Sequence, residues 1–137
     1  MDASKFADVF MMLDDEETED LVFLYLQSLG WYVVPNSRKG DTMKFEYLAV
    51  NPQNGDRALT QVKTGNVSLN REEYCKYAEK VFLFQSEERY TGKGSTNVTC
   101  LKKDDLYRFL VNSLHWLPSV FQIKHQLVAT DQTQQNT

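Results

Sequence analysis

The chain has 137 residues and a formal net charge of −4, with 42% hydrophobic and 25% charged residues, a composition typical of one globular domain. It contains no apolar run near the roughly 20 residues that a membrane span needs, and its N-terminus lacks the basic start of a signal peptide, so we expect a cytoplasmic protein without a membrane partner. Its two cysteines lack CxxC or CxxH spacing, which argues against a zinc site.

Charge is distributed unevenly along the sequence. Residues 1–20 contain eight acids against one lysine, whereas residues 38–80 contain eight basic against six acidic residues. Non-specific binding of nucleic acid depends on Lys and Arg contacts to phosphate, so an acidic protein is a weak candidate for it. The charge therefore weakens a nucleic-acid-binding function but leaves it open.

The first firm element is an amphipathic helix. Asp14 and Glu17 have the spacing of a capping box, which predicts a helix over 15–29 that ends at Gly30. Glu19 differs from the neighbouring acids because apolar residues three, four and seven positions further on share its face. We therefore place Glu19 at the border of the buried side.

Residues 44–63 predict a β-hairpin, with two short strands on either side of a turn rich in Asn, Pro, Gly and Asp. Strand alternation puts Gln61 and Lys63 on one face. In an antiparallel hairpin the numbers of two opposite residues have a constant sum, which defines the register. With a sum of 107 Glu46 lies opposite Gln61, and with a sum of 109 it lies opposite Lys63. Both registers bring a carboxylate, an amide and an ammonium together, which is costly on a half-buried face and favours a functional explanation.

The remaining pattern predicts alternating strands and helices. Strands are expected over 31–34, ended by Pro35, over 81–85 and over 98–101, and helices over 70–78 and 103–116, with a helical continuation at 119–129. This order gives an α/β sandwich with helices available for both faces of a mixed sheet. We expect a single domain over residues 1–130 and a polar, disordered tail over 131–137.

In this context the chain resembles the PD-(D/E)xK nuclease superfamily, within it the Mrr-like restriction endonucleases and Holliday-junction resolvase relatives. The resemblance covers about residues 14–112 and has three parts: the helix with Glu19 that runs to the Leu-Gly-Trp at 29–31, the Lys-Gly-Asp loop that leads to Glu46, and the triplet Gln61-Val62-Lys63. It implies a restriction-endonuclease-like, three-layer sandwich with a central mixed β-sheet flanked by helices.

The resemblance also implies Mg²⁺-dependent or Mn²⁺-dependent hydrolysis of DNA, with RNA as a further substrate class. Its catalytic residues would be Glu46, Gln61, Lys63 and Glu19. Its metal ligands would be Glu46, Gln61, the Val62 carbonyl and Asp41, since the strand acid could be either Asp41 or Glu46. Contacts to the nucleic-acid backbone would come from Arg38, Lys39 and Lys44.

Each site residue also has a structural explanation. Glu46 and Lys63 could form a simple cross-strand ion pair, Gln61 could face solvent on an edge strand, and Glu19 could be a helix-start acid. The alternative function is a catalytically inactive nuclease-fold module that binds nucleic acid or a protein partner. A third option is a nuclease that acts as a homodimer or after activation by a partner protein.

Overall fold

A computed structural model of the protein describes residues 9–35 and 47–135. The strands in these ranges are β1 (Tyr32–Pro35), β2 (Tyr47–Val50), β3 (Arg57–Lys63), β4 (Leu69–Asn70), β5 (Lys80–Gln85), β6 (Tyr90–Thr91) and β7 (Val98–Cys100). Five of them form a central sheet in the order β1-β2-β3-β5-β7, and β4 pairs with β6 in a second, two-stranded sheet. The central sheet is mixed, because β1, β2 and β3 pair antiparallel whereas β3, β5 and β7 pair parallel.

The described ranges also contain α1 (Asp15–Ser28), α2 (Lys103–Asn112), α3 (Ser119–Gln135) and a 3-10 helix (Arg71–Tyr74), and residues 9–12 are helical. The capping box of α1 is confirmed: the Asp14 carboxylate accepts from the Glu17 N–H at 2.8 Å, and the Glu17 carboxylate accepts from the Asp14 N–H at 2.9 Å. The predicted α/β architecture with a central mixed sheet flanked by helices is also confirmed.

The two faces of the central sheet are covered differently. On the face that we call the helix face, Ala58 and Val62 of β3 and Phe82 and Phe84 of β5 pack with buried side chains of all three α-helices. On the opposite face, which we call the small-sheet face, Leu59, Val81 and Leu83 pack with Leu69 of β4 and Tyr74 of the 3-10 helix. The larger core therefore lies under the helices. The expectation of helices for both faces is met on the small-sheet face only by the short 3-10 helix, because the three described α-helices all pack on the other face.

The hairpin has one of the two predicted registers. Tyr47 pairs with Thr60 and Val50 with Arg57, so paired residue numbers sum to 107. The connection is a six-residue loop rather than a two-residue turn, closed by the Asn51 N–H donating to the Asp56 carbonyl at 2.8 Å. Gly55 adopts φ +76° there, a left-handed conformation that favours glycine. This is the register for which the sequence places Glu46 opposite Gln61, and Glu46 itself lies outside the described residues.

Several predicted boundaries are wrong. The helix expected over 70–78 is the four-residue 3-10 helix: Asn70 does cap it, accepting from the Glu72 N–H at 3.1 Å, but Tyr74 is the one side chain it buries. Without an apolar stripe, a longer helix gains no packing. The helix expected to reach residue 116 ends at Asn112, where the chain tightens and the Trp116 N–H donates to the Ser113 carbonyl.

Other differences concern short or terminal segments. The strand predicted over 31–34 is Tyr32–Pro35, with the proline as the last residue of an edge strand, where a missing N–H is tolerated. The pairing of β4 with β6 was not predicted, since two-residue strands carry no periodicity. Helix α3 extends to Gln135, into the stretch that the sequence assigned to a tail.

In the part of the chain with described structure, no helix combines the length and apolar character that a membrane crossing requires.

Candidate active site at the carboxyl ends of β3 and β5

The carboxyl ends of β3 and β5 lie side by side, because these strands are parallel and pair Lys63 with Gln85. A cavity of about 180 Å³ opens there against the first turns of α1. Its lining comprises Asp15, Glu19, Val62, Lys63, Thr64 and Val67. Crevices outside the carboxyl ends of strands are the usual ligand sites of open α/β sheets. This cavity is therefore our candidate active site.

Helix α1 contributes two carboxylates to the cavity. Asp15 and Glu19 are four residues apart in one helix, so their side chains lie one turn apart on the same side. The Asp15 carboxylate accepts a hydrogen bond from the Thr64 hydroxyl, which ties the first turn of α1 to the residue that follows β3. Glu19 is half-buried and lines the cavity, as expected for a residue at the border of the apolar stripe.

Strand β3 contributes Lys63 as its last residue. The side chain is half-buried, and no carboxylate within residues 9–35 and 47–135 forms a salt bridge with it. Its main-chain carbonyl accepts from the Ser86 N–H at 3.1 Å, so the strand end is fixed to β5. The structure thus brings Lys63, Val62 and Glu19 of the predicted set to one cavity.

Gln61 lies on the small-sheet face of β3, two residues before Lys63, and its side chain is 6% exposed. The explanation that places it on an edge strand facing solvent is wrong, because β3 is the middle strand of the central sheet. Its Oε1 atom is buried and has no hydrogen-bond partner among the described residues. A buried amide oxygen in that condition costs about 1–3 kcal/mol. Gln61 is not among the residues that line the 180 Å³ cavity.

Thr60 provides an informative comparison on the other side of the same strand. Its hydroxyl oxygen is also buried and also lacks a described hydrogen-bond partner. It belongs to the helix face, however, between Ala58 and Val62 and away from Gln61 and Lys63. An unpartnered oxygen alone therefore does not identify a functional residue. What distinguishes Gln61 from Thr60 is its position two residues before Lys63, on the same face of β3.

The remaining predicted site residues cannot be placed. Glu46, Asp41, Arg38, Lys39 and Lys44 all lie outside the described residues. Within the described ranges, no group of three or more His, Cys, Asp or Glu side chains is arranged to hold a metal ion. The triplet itself offers Gln61 Oε1 and the Val62 carbonyl as oxygen donors, and the cavity contains the Asp15 and Glu19 carboxylates. A metal-binding set would need a carboxylate from residues 36–46 in addition.

Acidic side chains are concentrated in the first turns of α1. The pKa of Asp20 is raised, first by partial burial and then by the carboxylates of Glu16, Asp14 and Glu17. At the cavity itself, the carboxylates of the same helix are those of Asp15 and Glu19. A phosphate group there would be repelled by them, so a cation such as Lys63 or a bound metal ion would be needed to offset the repulsion.

A second cavity of about 290 Å³ adjoins the first. Its lining comprises Phe10, Met11, Leu13, Thr64, Gly65, Ser86 and Glu87. Thr64 belongs to both cavities, so together they extend across the carboxyl ends of β3 and β5. Asp15, Thr64 and Gln85 contribute to this region but were not among the residues predicted for the site. The signal for Asp15 was its spacing of four from Glu19, and the signal for Gln85 was an amide that ends an otherwise apolar run.

No protein-family model, curated protein or solved structure matches this chain.

Proposed function

We propose that the protein is a metal-dependent nuclease that hydrolyses phosphodiester bonds in DNA, on a restriction-endonuclease-like arrangement of its mixed sheet. The observation that carries the proposal is the buried, unpartnered Oε1 atom of Gln61 on the central strand, two residues before a lysine that reaches a cavity with two carboxylates. Because Thr60 has a similar oxygen, the proposal depends on the place of this one beside Lys63, where an amide oxygen could serve as a ligand for a hard cation.

The donor chemistry fits Mg²⁺ or Mn²⁺, both of which prefer oxygen ligands. Gln61 Oε1 and the Val62 carbonyl would hold the ion together with Glu46 or Asp41, and Glu19 would bind it directly or through water. The bound ion would neutralise the phosphate and lower the pKa of a water molecule. Because two of the described donors are neutral, the carboxylate from residues 36–46 supplies most of the negative charge that the ion requires.

Lys63 has the position for electrostatic catalysis. It ends the central strand, lines the cavity and has no described salt-bridge partner that would neutralise its charge. A compact ammonium there would orient the attacking water and stabilise negative charge that develops on the phosphate. Arg38, Lys39 and Lys44 would contact the backbone of the nucleic acid, and this binding should weaken as salt increases.

The alternative is a nuclease-fold module that binds nucleic acid or a protein partner without cleaving. The acidic start of α1 favours it: Asp14 caps the helix, Asp15, Glu16 and Glu17 form its first turn, and the Asp15 carboxylate lines the cavity, where it would repel phosphate. The two functions differ in a measurable way, since the nuclease must turn over substrate when a divalent cation is present.

The test is an incubation of the protein with supercoiled, linear, branched and single-stranded DNA, and with RNA, in Mg²⁺ or Mn²⁺. We expect cleavage that chelation abolishes and that Glu46→Ala, Lys63→Ala and Gln61→Met each reduce by about 100-fold or more. Thr60→Val is the matched control, because it removes the neighbouring unpartnered oxygen on the helix face. It should leave cleavage unchanged.

Cleavage that survives both Glu46→Ala and Lys63→Ala would refute the assignment of the site. Binding of DNA or RNA with no cleavage of any substrate would favour the alternative function. Cleavage of RNA alone would retain the mechanism and change the substrate class.

A further inference from the structure

Gln85 is a fully buried amide at the end of β5 whose hydrogen bonds all go to two loops. Its Nε2 donates to the Gly65 carbonyl at 2.8 Å and to the Val67 carbonyl at 3.0 Å. Its Oε1 accepts from the Glu87 N–H at 2.7 Å and the Arg89 N–H at 2.9 Å. Two donors and two acceptor sites are the whole capacity of an amide side chain. Every one of them is used here to fix the main chain of a loop.

The two loops are the walls of the candidate site. Thr64 and Val67, on the loop after Lys63, line the 180 Å³ cavity, and Glu87, on the loop after β5, lines the adjoining one. A further bond from the Gly65 N–H to the Ser86 hydroxyl, at 3.2 Å, joins the loops directly. Gln85 pairs with Lys63 in the sheet, so both loops begin beside its position at the end of β5.

We propose that Gln85 is a positioning residue for the candidate active site: it holds the loop of residues 64–67 so that Lys63 and Thr64 stay aligned with Asp15 and Glu19. The proposal rests on the nuclease function proposed above. Gln85 does not line either cavity, and its effect runs through the main chain that it binds. Small displacements of this kind are costly, because a misplacement of about 1 Å at a reacting centre can reduce a rate on the order of 100-fold.

The amide is chemically specific for this task. A glutamate of the same size keeps both acceptor contacts to the loop after β5 but loses both donors, and its charge repels the Gly65 and Val67 carbonyls. A methionine of similar volume loses all four bonds. Gln85→Glu therefore removes the side-chain bonds to the loop of residues 64–67, and Gln85→Met removes the side-chain bonds to both loops.

Tyr90 supplies a matched control in the same buried region. Its hydroxyl accepts from the Gln85 N–H at 3.0 Å and donates to the Leu101 carbonyl at 2.7 Å. It makes no hydrogen bond to the loop of residues 64–67 among those described. Tyr90→Phe thus removes buried hydrogen bonds at the end of β5 without releasing the loop that follows Lys63.

The first experiment compares steady-state DNA cleavage by the full chain and the three variants in Mg²⁺, at a temperature where each is folded. We expect Gln85→Glu and Gln85→Met to reduce kcat on the order of 100-fold with KM within a factor of about two. Tyr90→Phe should reduce the midpoint of thermal unfolding while kcat stays within about twofold of the wild type. Equal kcat for Gln85→Met and the wild type, or equal losses in Gln85→Met and Tyr90→Phe, would overturn the proposal.

The second experiment does not depend on cleavage and therefore separates failure of this inference from failure of the nuclease function. Amide hydrogen exchange is measured at Gly65, Glu87 and Arg89. Exchange should accelerate at all three in Gln85→Met, chiefly at Gly65 in Gln85→Glu, and at none of them in Tyr90→Phe. If Gly65 exchanges at the wild-type rate in both Gln85 variants, the amide does not hold the loop and the inference is wrong, whether or not the protein cleaves DNA.

Discussion

The two faces of the central sheet change differently along β3 and β5. On the helix face, Val62 near the end of β3 and Phe84 near the end of β5 are still part of the main core. On the small-sheet face the side chains of β3 pass from Leu59 through Gln61 to Lys63, and those of β5 end at Gln85. Apart from the buried Thr60, the helix face is apolar almost to the carboxyl edge, whereas the small-sheet face becomes polar while it is still buried.

Within β3 and β5, the helix face therefore contributes mainly to stability, and the small-sheet face carries the polar residues to which we assign a function. Burial of apolar surface contributes most of the favourable free energy of folding, and the helix face supplies most of it here. Buried polar side chains cost free energy unless each atom is paired. Gln85 meets that condition through four hydrogen bonds, and Gln61 does not meet it within the described residues. Thr60 on the helix face shares this unmet condition, so at Gln61 it supports the proposed ligand role only together with the position of Gln61 two residues before Lys63.

The largest expected effect is on the helix face. Phe84 is fully buried and its ring lies 5.6 Å from that of Phe10, so Phe84→Ala should lower the free energy of unfolding by about 3–5 kcal/mol in urea denaturation. The comparison variant is Leu59→Ala in the smaller core, which should cost about 2 kcal/mol. A greater loss from Leu59→Ala would contradict the assignment of the main core to the helix face.

The next effect has the opposite sign. Thr60→Val and Gln61→Met each replace a buried, unpartnered oxygen by an apolar group of similar size. Each should raise the free energy of unfolding by about 1 kcal/mol when divalent metal is removed by a chelator. When Mn²⁺ is present the wild type should gain stability and Gln61→Met should not, because bound ligand stabilises the folded state. A loss of stability in both variants without metal would show that the two oxygens have partners in solution.

The periodicity of the sequence predicted those features of the fold that depend on residues close together in the chain. The capping box and apolar stripe located α1, and strand alternation placed Gln61 and Lys63 on one face in a hairpin of the observed register. What alternation does not reveal is strand order. Because β5 lies parallel beside β3, β3 becomes the middle strand, and Gln61 becomes buried instead of facing solvent.

The contacts of Gln85 could not be predicted from the sequence for a related reason. The two carbonyls that accept from its Nε2 lie 18 and 20 residues earlier in the chain, in a loop without regular pattern. The two-residue strands β4 and β6 are similar, since their pairing depends on tertiary contact and not on propensity. Glu17, for which the sequence predicted only the capping box, also contacts Lys124 of α3, a contact between segments far apart in the chain.

A smaller effect concerns the contact between α3 and the start of α1. The Lys124 ammonium lies 2.5 Å from a carboxylate oxygen of Glu17 and donates to the Met12 carbonyl at 2.8 Å. Because the pair is partly exposed, Lys124→Met should lower the free energy of unfolding by about 1 kcal/mol, and less at high salt. Glu17→Gln isolates the charge, since an amide can still accept from the Asp14 N–H. An unchanged unfolding midpoint in Lys124→Met would mean that apolar packing alone holds α3.

The smallest expected effect is a pH dependence of stability, which comes from a histidine on α3, one of the helices that cover the helix face. Partial burial lowers the pKa of His125 on α3 below its ordinary value of 6.5, where its ring nitrogen lies 3.4 Å from the Tyr107 hydroxyl. The unfolded chain therefore binds a proton at a higher pH than the folded protein. Stability from this residue is complete above pH 6.5 and falls as the pH drops through 6.5 towards the lowered folded value. Urea unfolding at pH 7.5 and pH 5 should show a smaller loss of stability in His125→Gln than in the wild type. An equal loss in both proteins would mean that the burial of α3 does not extend to this imidazole, and that the apolar helix face ends before it.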